Sequence, residues 1–124
     1  MNRNLNPDEF GYPEPTGLSE DRVPSALRRW DVDPDTMMDV YESADTSKAS
    51  EERVPLASLL SYQTAVERPS LEHLAASSTL EDAPPLDVIR RQEQLILRDG
   101  SHRANAALLR GLPDFRANVK EASL

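Results

Sequence analysis

The sequence predicts an α+β domain, a small sheet with short helices, preceded by a partly disordered acidic arm. Three observations lead there. Residues 86–90 alternate well enough for a strand, and after a polar break residues 94–98 hold the clearest apolar run, Leu95 to Leu97, as the return strand of a β-hairpin. Residues 101–110 are rich in Ala and Leu and follow Asp99-Gly100, which reads as strand, tight turn, helix. The acidic excess is carried ahead of residue 54, with thirteen acidic against six basic side chains, whereas residues 54–124 carry nine against eight. The expected division is therefore an arm over 1–53 and a folded domain over 54–124.

In chain order, residues 1–16 hold three prolines and few apolar groups, too little to offset the entropy of ordering, and are expected to be extended or disordered. Residues 25–30 suggest a short helix behind Pro24, ending at Trp30. Asp33-Pro34 reads as an N-cap followed by proline at the first helical position. Met37, Val40, Tyr41 and Ala44 then form one apolar stripe, which either packs on its own domain or docks a partner protein through residues 18–46. Residues 46–53 read as a linker. Residues 54–60 suggest a strand end running into a short helix, with Leu56, Leu59 and Leu60 inward. Residues 63–69 are expected as a loop. Ser70 is expected to cap a helix whose inner face is Leu71, Leu74 and Ala75, with Glu72 in its first turn and His73 at the surface. Residues 77–85 break that helix. Residues 91–93 should turn the hairpin, Gly111 should stop the following helix, and residues 114–119 should form a last strand with Phe115, Ala117 and Val119 on one side.

Composition narrows the function. A net charge of −8 argues against direct nucleic-acid binding, which needs a basic face. The absence of cysteine removes disulfides, thiolate metal ligands and a cysteine nucleophile, and His73 and His102 alone do not make a zinc site, so no metal site is assigned. No apolar run reaches membrane-spanning length and the polar N-terminus is not a signal peptide, so a cytoplasmic protein with no membrane contact is expected.

The candidate site is the turn into the 101–110 helix. A helix start directs unpaired N–H groups and the positive end of the helix dipole at one point, which suits a phosphate. Gly100 permits close approach, Ser101 offers a hydroxyl, and His102 and Arg103 add charge, Arg103 through its fork of donors. Arg68, in the segment before the preceding helix, is a second candidate phosphate contact.

The ordered series Val54-Pro55-Leu56 with Leu59-Leu60, Leu71-x-x-Leu74-Ala75, Pro84-Pro85-Leu86-Asp87-Val88-Ile89 and Leu97-x-Asp99-Gly100-x-His102-Arg103-x-x-Ala106 resembles the ParB/sulfiredoxin domain superfamily over about residues 54–119. The resemblance implies a compact domain with a small mixed sheet, whose Gly-x-x-Arg turn binds nucleotide phosphates. ATP or CTP with Mg2+ are the ligands it implies. Sulfiredoxins carry cysteine where Ser101 stands, so their repair reaction lacks its nucleophile here. Chromosome-partition proteins have Gly-Glu-Arg-Arg at the turn and a helix-turn-helix after it. Gln63 and residues 71–77 are similar to their first box, but Thr64-Ala65 replaces its Pro-Arg, and no helix-turn-helix is expected. Free-serine kinases of the superfamily share the Asp-Gly-x-x-Arg turn and need a glutamate base, for which Glu67 is the candidate. The superfamily also includes short ParB-like nucleases of phages and mobile elements. A nuclease wants clustered carboxylates, and Asp99, alone at the turn, is instead expected to hold it through an Asx-type bond. The reading that results is a phosphate-ligand or nucleotide-binding protein. The alternatives are an interaction module using the acidic arm and a small phosphotransferase or nuclease.

Overall fold

The apolar runs of residues 86–91 and 94–99 pair as expected, and their register explains the rest of the architecture. In the computed structural model, which describes residues 21–123, β6 (Leu86–Arg91) and β7 (Gln94–Asp99) are antiparallel, turning at Gln92 with φ 57°. Val88 faces Leu97 and Ile89 faces Ile96 across this pair. Side chains alternate along a strand, so the two pairs point to opposite faces. Both faces are covered, which is why these strands read as nearly continuous apolar runs.

The hairpin lies in a six-stranded mixed sheet of order β2-β4-β7-β6-β8-β3. Its other members are β2 (Arg28–Arg29), β3 (Ser50–Pro55), β4 (Leu59–Ser61) and β8 (Asp114–Glu121). β4 runs parallel to β7 and β8 parallel to β6, while β3 closes one edge antiparallel to β8. β1 (Arg22–Pro24) and β5 (Ala65–Glu67) form a separate antiparallel pair.

One face of the sheet carries Val54, Leu86, Val88, Leu97, Phe115, Ala117 and Val119, buried under α2 (Arg68–Ala76) and α3 (Ser101–Leu109). Ala104, Ala106 and Ala107 are completely buried, and their small size lets α3 lie close to the strands. Leu71, Leu74 and Ala75 pack partly buried from α2, as their spacing predicts. The other face presents Ile89 and Ile96 to Trp30 and to α1 (Pro34–Ser43), whose Val40 is fully buried. The stripe Met37, Val40, Tyr41, Ala44 thus packs on the chain's own sheet.

Four local expectations are corrected. Residues 25–30 form no helix. Leu27 and Trp30 are drawn into the two cores, Arg28 and Arg29 pair with Leu60 and Ser61, and the Ala26 N–H is held by Asn105 Oδ1 at 2.7 Å. Tertiary contacts override a weak helix propensity. Residues 46–53 are no linker. A 3₁₀ turn at Thr46–Lys48, capped by Asp45, leads into β3. This edge strand exposes most of its length, as unpaired edges do when they avoid aggregation, and its charges pair sideways, Glu52 with Arg90 at 2.5 Å and Arg53 with Asp114 at 2.7 Å. The Arg90 hydrogen bond holds the Glu52 carboxyl below the usual carboxylate range. Residues 63–69 are no simple loop, because β5 and the first turn of α2 occupy them. Ser70 accordingly lies inside α2, with Glu67 at the N-cap position and Pro69 in the first turn, where its missing N–H costs nothing.

β3 spans the expected boundary at residue 53, so residues 22–53 contribute strands and a helix to the same sheets as the rest. The stretch 1–16 lies outside the described residues.

Candidate functional site

The expected turn is present and strained in the way glycine permits. β7 ends at Asp99, and Gly100 caps α3 in the left-handed region with φ 106° and ψ 26°. A Cβ there would lie 2.8 Å from Leu86 Cδ2 and 2.9 Å from Arg103 Nη2. With no cap side chain, the N–H groups of Ser101, His102 and Arg103 are without intrahelical partners.

Ser101 is 7% exposed, and its hydroxyl is buried with no hydrogen-bond partner. A polar group in that condition is costly and rare. The two charged candidates are turned to structural partners. His102 Nε2 accepts from the Glu67 N–H at 3.0 Å, so the ring ties the start of α3 to the start of α2. Arg103 lies against Gly100 and donates from Nη2 to the Pro85 carbonyl at 3.2 Å, while its Nε is buried without a partner. Arg68 is exposed at the first residue of α2, next to Glu67. Glu67 directs its carboxylate to Arg22 at 3.7 Å. The Asp99 carboxylate is exposed and forms no hydrogen bond among the described residues, so the expected Asx-type bond is absent and the backbone of Gly100 makes the turn unaided.

A cavity of about 200 Å³ opens beside Ser101. α1 supplies Met37 and Tyr41 to its wall, and the end of β4 supplies Ser61, Tyr62 and Gln63. The end of β7 adds Leu97, Arg98 and Asp99. Its aromatic side is braced: Trp30 stacks on Tyr41 with centroids 6.2 Å apart and meets Tyr62 edge-on at 6.5 Å. Burial pushes the Tyr41 hydroxyl up to about 12, against the nearby Arg98 charge, so it is neutral at ordinary pH. Arg98 sits over the Tyr41 ring, 5.9 Å from its centroid, with Nε 3.9 Å from Asp87.

Behind the turn, Asn105 is 4% exposed. Its Nδ2 donates to the Ser101 carbonyl at 2.8 Å and to Ser25 Oγ at 3.1 Å. With the Ala26 contact, it joins the N-terminal segment to the first turn of α3. Sequence reasoning brought Gly100, Ser101, His102 and Arg103 together but did not place Met37, Tyr41 or Tyr62 at the site. The one available sign of Asn105 was a polar residue four positions after Ser101 in an Ala-rich helix. Among the described residues there is no group of three or more His, Asp or Glu placed to hold a metal ion, and no helix long and apolar enough to cross a membrane.

No protein-family model matches the chain, and no curated protein does. Among solved structures, the sulfiredoxin from Arabidopsis thaliana superposes with a TM-score of 0.51 at 20% identity, covering 59% of this chain and 86% of that one. The likeness is one of architecture: this chain has the sulfiredoxin-like α+β fold.

Proposed function

We propose that the protein binds a nucleotide, or a similar small phosphate ligand, at the first turn of α3. The observation that carries this reading is the buried, unpartnered hydroxyl of Ser101, beside three free backbone N–H groups and at the edge of a cavity. A phosphate oxygen at that point would give the hydroxyl its missing partner. It would also sit on the positive end of the helix dipole. Gly100 keeps side-chain atoms away from the approach. Arg103 has an unused Nε and braces the turn from behind, and Arg68 stands at the neighbouring helix start.

The resemblance to ParB and sulfiredoxin domains, which place nucleotide phosphates on the equivalent turn, supports the same reading and names ATP or CTP as first candidates. Magnesium carried on the phosphates would lower their charge before they meet a chain of net charge −8. The chain's own residues would then bind and orient the phosphates. Sulfiredoxin's repair chemistry is not proposed, because Ser101 stands where that reaction needs a cysteine thiolate.

The test is calorimetric titration of the full chain with ATP, CTP, GTP and ADP, with and without magnesium, alongside Arg103→Ala checked for native circular dichroism. Saturable binding of at least one nucleotide, lost in a folded Arg103→Ala, is expected. No binding of any of them at millimolar concentration would overturn the proposal.

A further inference from the structure

We infer that Asn105 is a positioning residue for the ligand at the α3 turn, and that residues 25–27 act on the site through it. The inference rests on the phosphate reading above and adds to it what holds the turn ready.

Three polar residues are buried among those described, Ser61, Ser101 and Asn105. The Ser61 hydroxyl donates to the Gln63 carbonyl at 3.0 Å. Asn105 stands among Ala104, Ala106 and Ala107, where a further alanine would favour the helix more and bury no amide. Its amide is nevertheless fully engaged. An asparagine has two N–H donors and one carbonyl oxygen. The donors go to the Ser101 carbonyl at 2.8 Å and to Ser25 Oγ at 3.1 Å, and the oxygen takes the Ala26 N–H at 2.7 Å. Of the three residues, Ser101 is the one whose side chain has no partner.

This arrangement has two consequences for a ligand. The first is direction. A trans peptide is planar, with its C=O and N–H pointing opposite ways. Holding the Ser101 carbonyl from the C-terminal side therefore aims the His102 N–H out of the helix start, where the phosphate is proposed to sit. No side chain caps the turn from the other end, since Gly100 has none. The second consequence is availability. Residues four apart share a helix face, so the Ser101 hydroxyl is the group one turn back to which an idle Asn105 donor would turn. With both donors spent, Asn105 leaves that hydroxyl to the ligand.

Residues 25–27 keep the amide occupied. Ser25 donates its N–H to the Thr64 carbonyl at 2.9 Å, and its Oγ also accepts from the Leu27 N–H at 3.2 Å. Leu27 is buried in the core. The segment is thus fixed before a ligand arrives, and little freedom remains to be lost on binding.

The experiment titrates inorganic tripolyphosphate, ATP and CTP, each with magnesium, calorimetrically into the full chain and its variants, all checked for native circular dichroism. Ser25→Ala touches no residue of the turn. It idles one Asn105 donor, and should weaken the tightest of these ligands about threefold, part of one hydrogen bond's worth. In a Ser101→Ala background there is no hydroxyl to capture, so the same substitution should change affinity by less than about twofold. A merely structural role for Ser25 would lower the urea midpoint in both backgrounds and show no such dependence on Ser101. Asn105→Ala, where it folds, should weaken binding about threefold or more through the freed Ser101 carbonyl. Where it does not fold, the Ser25 and Ser101 pair decides alone. Parent-like affinity in Ser25→Ala or in a folded Asn105→Ala, or an equal loss from Ser25→Ala in both backgrounds, would overturn the inference and leave phosphate binding intact. Failure of all three ligands to bind the parent at millimolar concentration would overturn the phosphate reading and this inference with it.

Discussion

Adjacent residues at the start of α3 have opposite relations to stability. Ser101 buries a hydroxyl that finds no partner in the fold, and such a group costs about 1–3 kcal/mol. Ser101→Ala removes that cost and leaves only a small void. Urea denaturation of the ligand-free protein should therefore show this variant more stable by about 1 kcal/mol, and nucleotide titration should show it binding more weakly. Gly100→Ala should do the reverse to stability. It forces a side chain into φ 106° and sets a Cβ 2.8 Å from Leu86, for a loss of about 2 kcal/mol or more. A Ser101→Ala protein less stable than its parent would mean that the hydroxyl has a partner in solution, and the principal support for the site would be gone. A residue kept at the expense of stability is what a binding position looks like.

At the scale of elements, two kinds of side-chain contact join the N-terminal strands and α1 to the rest, besides the backbone pairing of β2 with β4 and β3 with β8. Trp30 and Val40 are buried against Ile89 and Ile96, and Asn105 of α3 bonds to both Ser25 and Ala26. Trp30 is the chain's single tryptophan, so its fluorescence reports on that junction alone, whereas far-ultraviolet dichroism reports on the whole. The two signals should follow one urea transition, as expected of a single cooperative unit. Asn105→Ala should move both midpoints together, by about 2 kcal/mol, since it strands buried donors and acceptors. A tryptophan transition that precedes the dichroism change would show the N-terminal elements to be a separate unit. The same contacts explain what the sequence made legible. The β6–β7 hairpin, α3 and β8 are visible because local alternation or Ala content coincides with what they bury. β2, β3 and β5 are hidden because they are short or lie at an edge, and runs such as Ser50-Glu51-Glu52-Arg53 look like solvent-exposed chain. The glycine turn is legible because its chemistry lies in four consecutive residues. The cavity is not, because Met37, Tyr62 and Asp99 come together only when α1 crosses the ends of β4 and β7.

For the whole molecule, the charge balance gives a prediction that separates an anion-binding turn from a generally basic surface. The net charge is −8, with most of the excess ahead of residue 54. A nucleotide approaching from a distance is therefore repelled by the molecule as a whole, although at the proposed site the helix start would attract it at contact. Salt acts on these two ranges differently. The screening length falls from about 30 Å at 0.01 M to about 8 Å at 0.15 M ionic strength, which removes the distant repulsion but leaves contacts of hydrogen-bond length nearly intact. Stopped-flow measurement of nucleotide association, using Trp30 fluorescence, should show the rate constant rising over this interval and the dissociation rate changing little. Proteins that attract phosphates through a basic face show the opposite trend, because salt weakens the steering that brings the ligand in. A steep fall in association rate with salt would mean that the anion is captured by an extended cationic surface rather than by the α3 turn. A rise with salt would place the attraction within a few ångströms of the helix start, where the unpaired N–H groups and the buried hydroxyl of Ser101 lie.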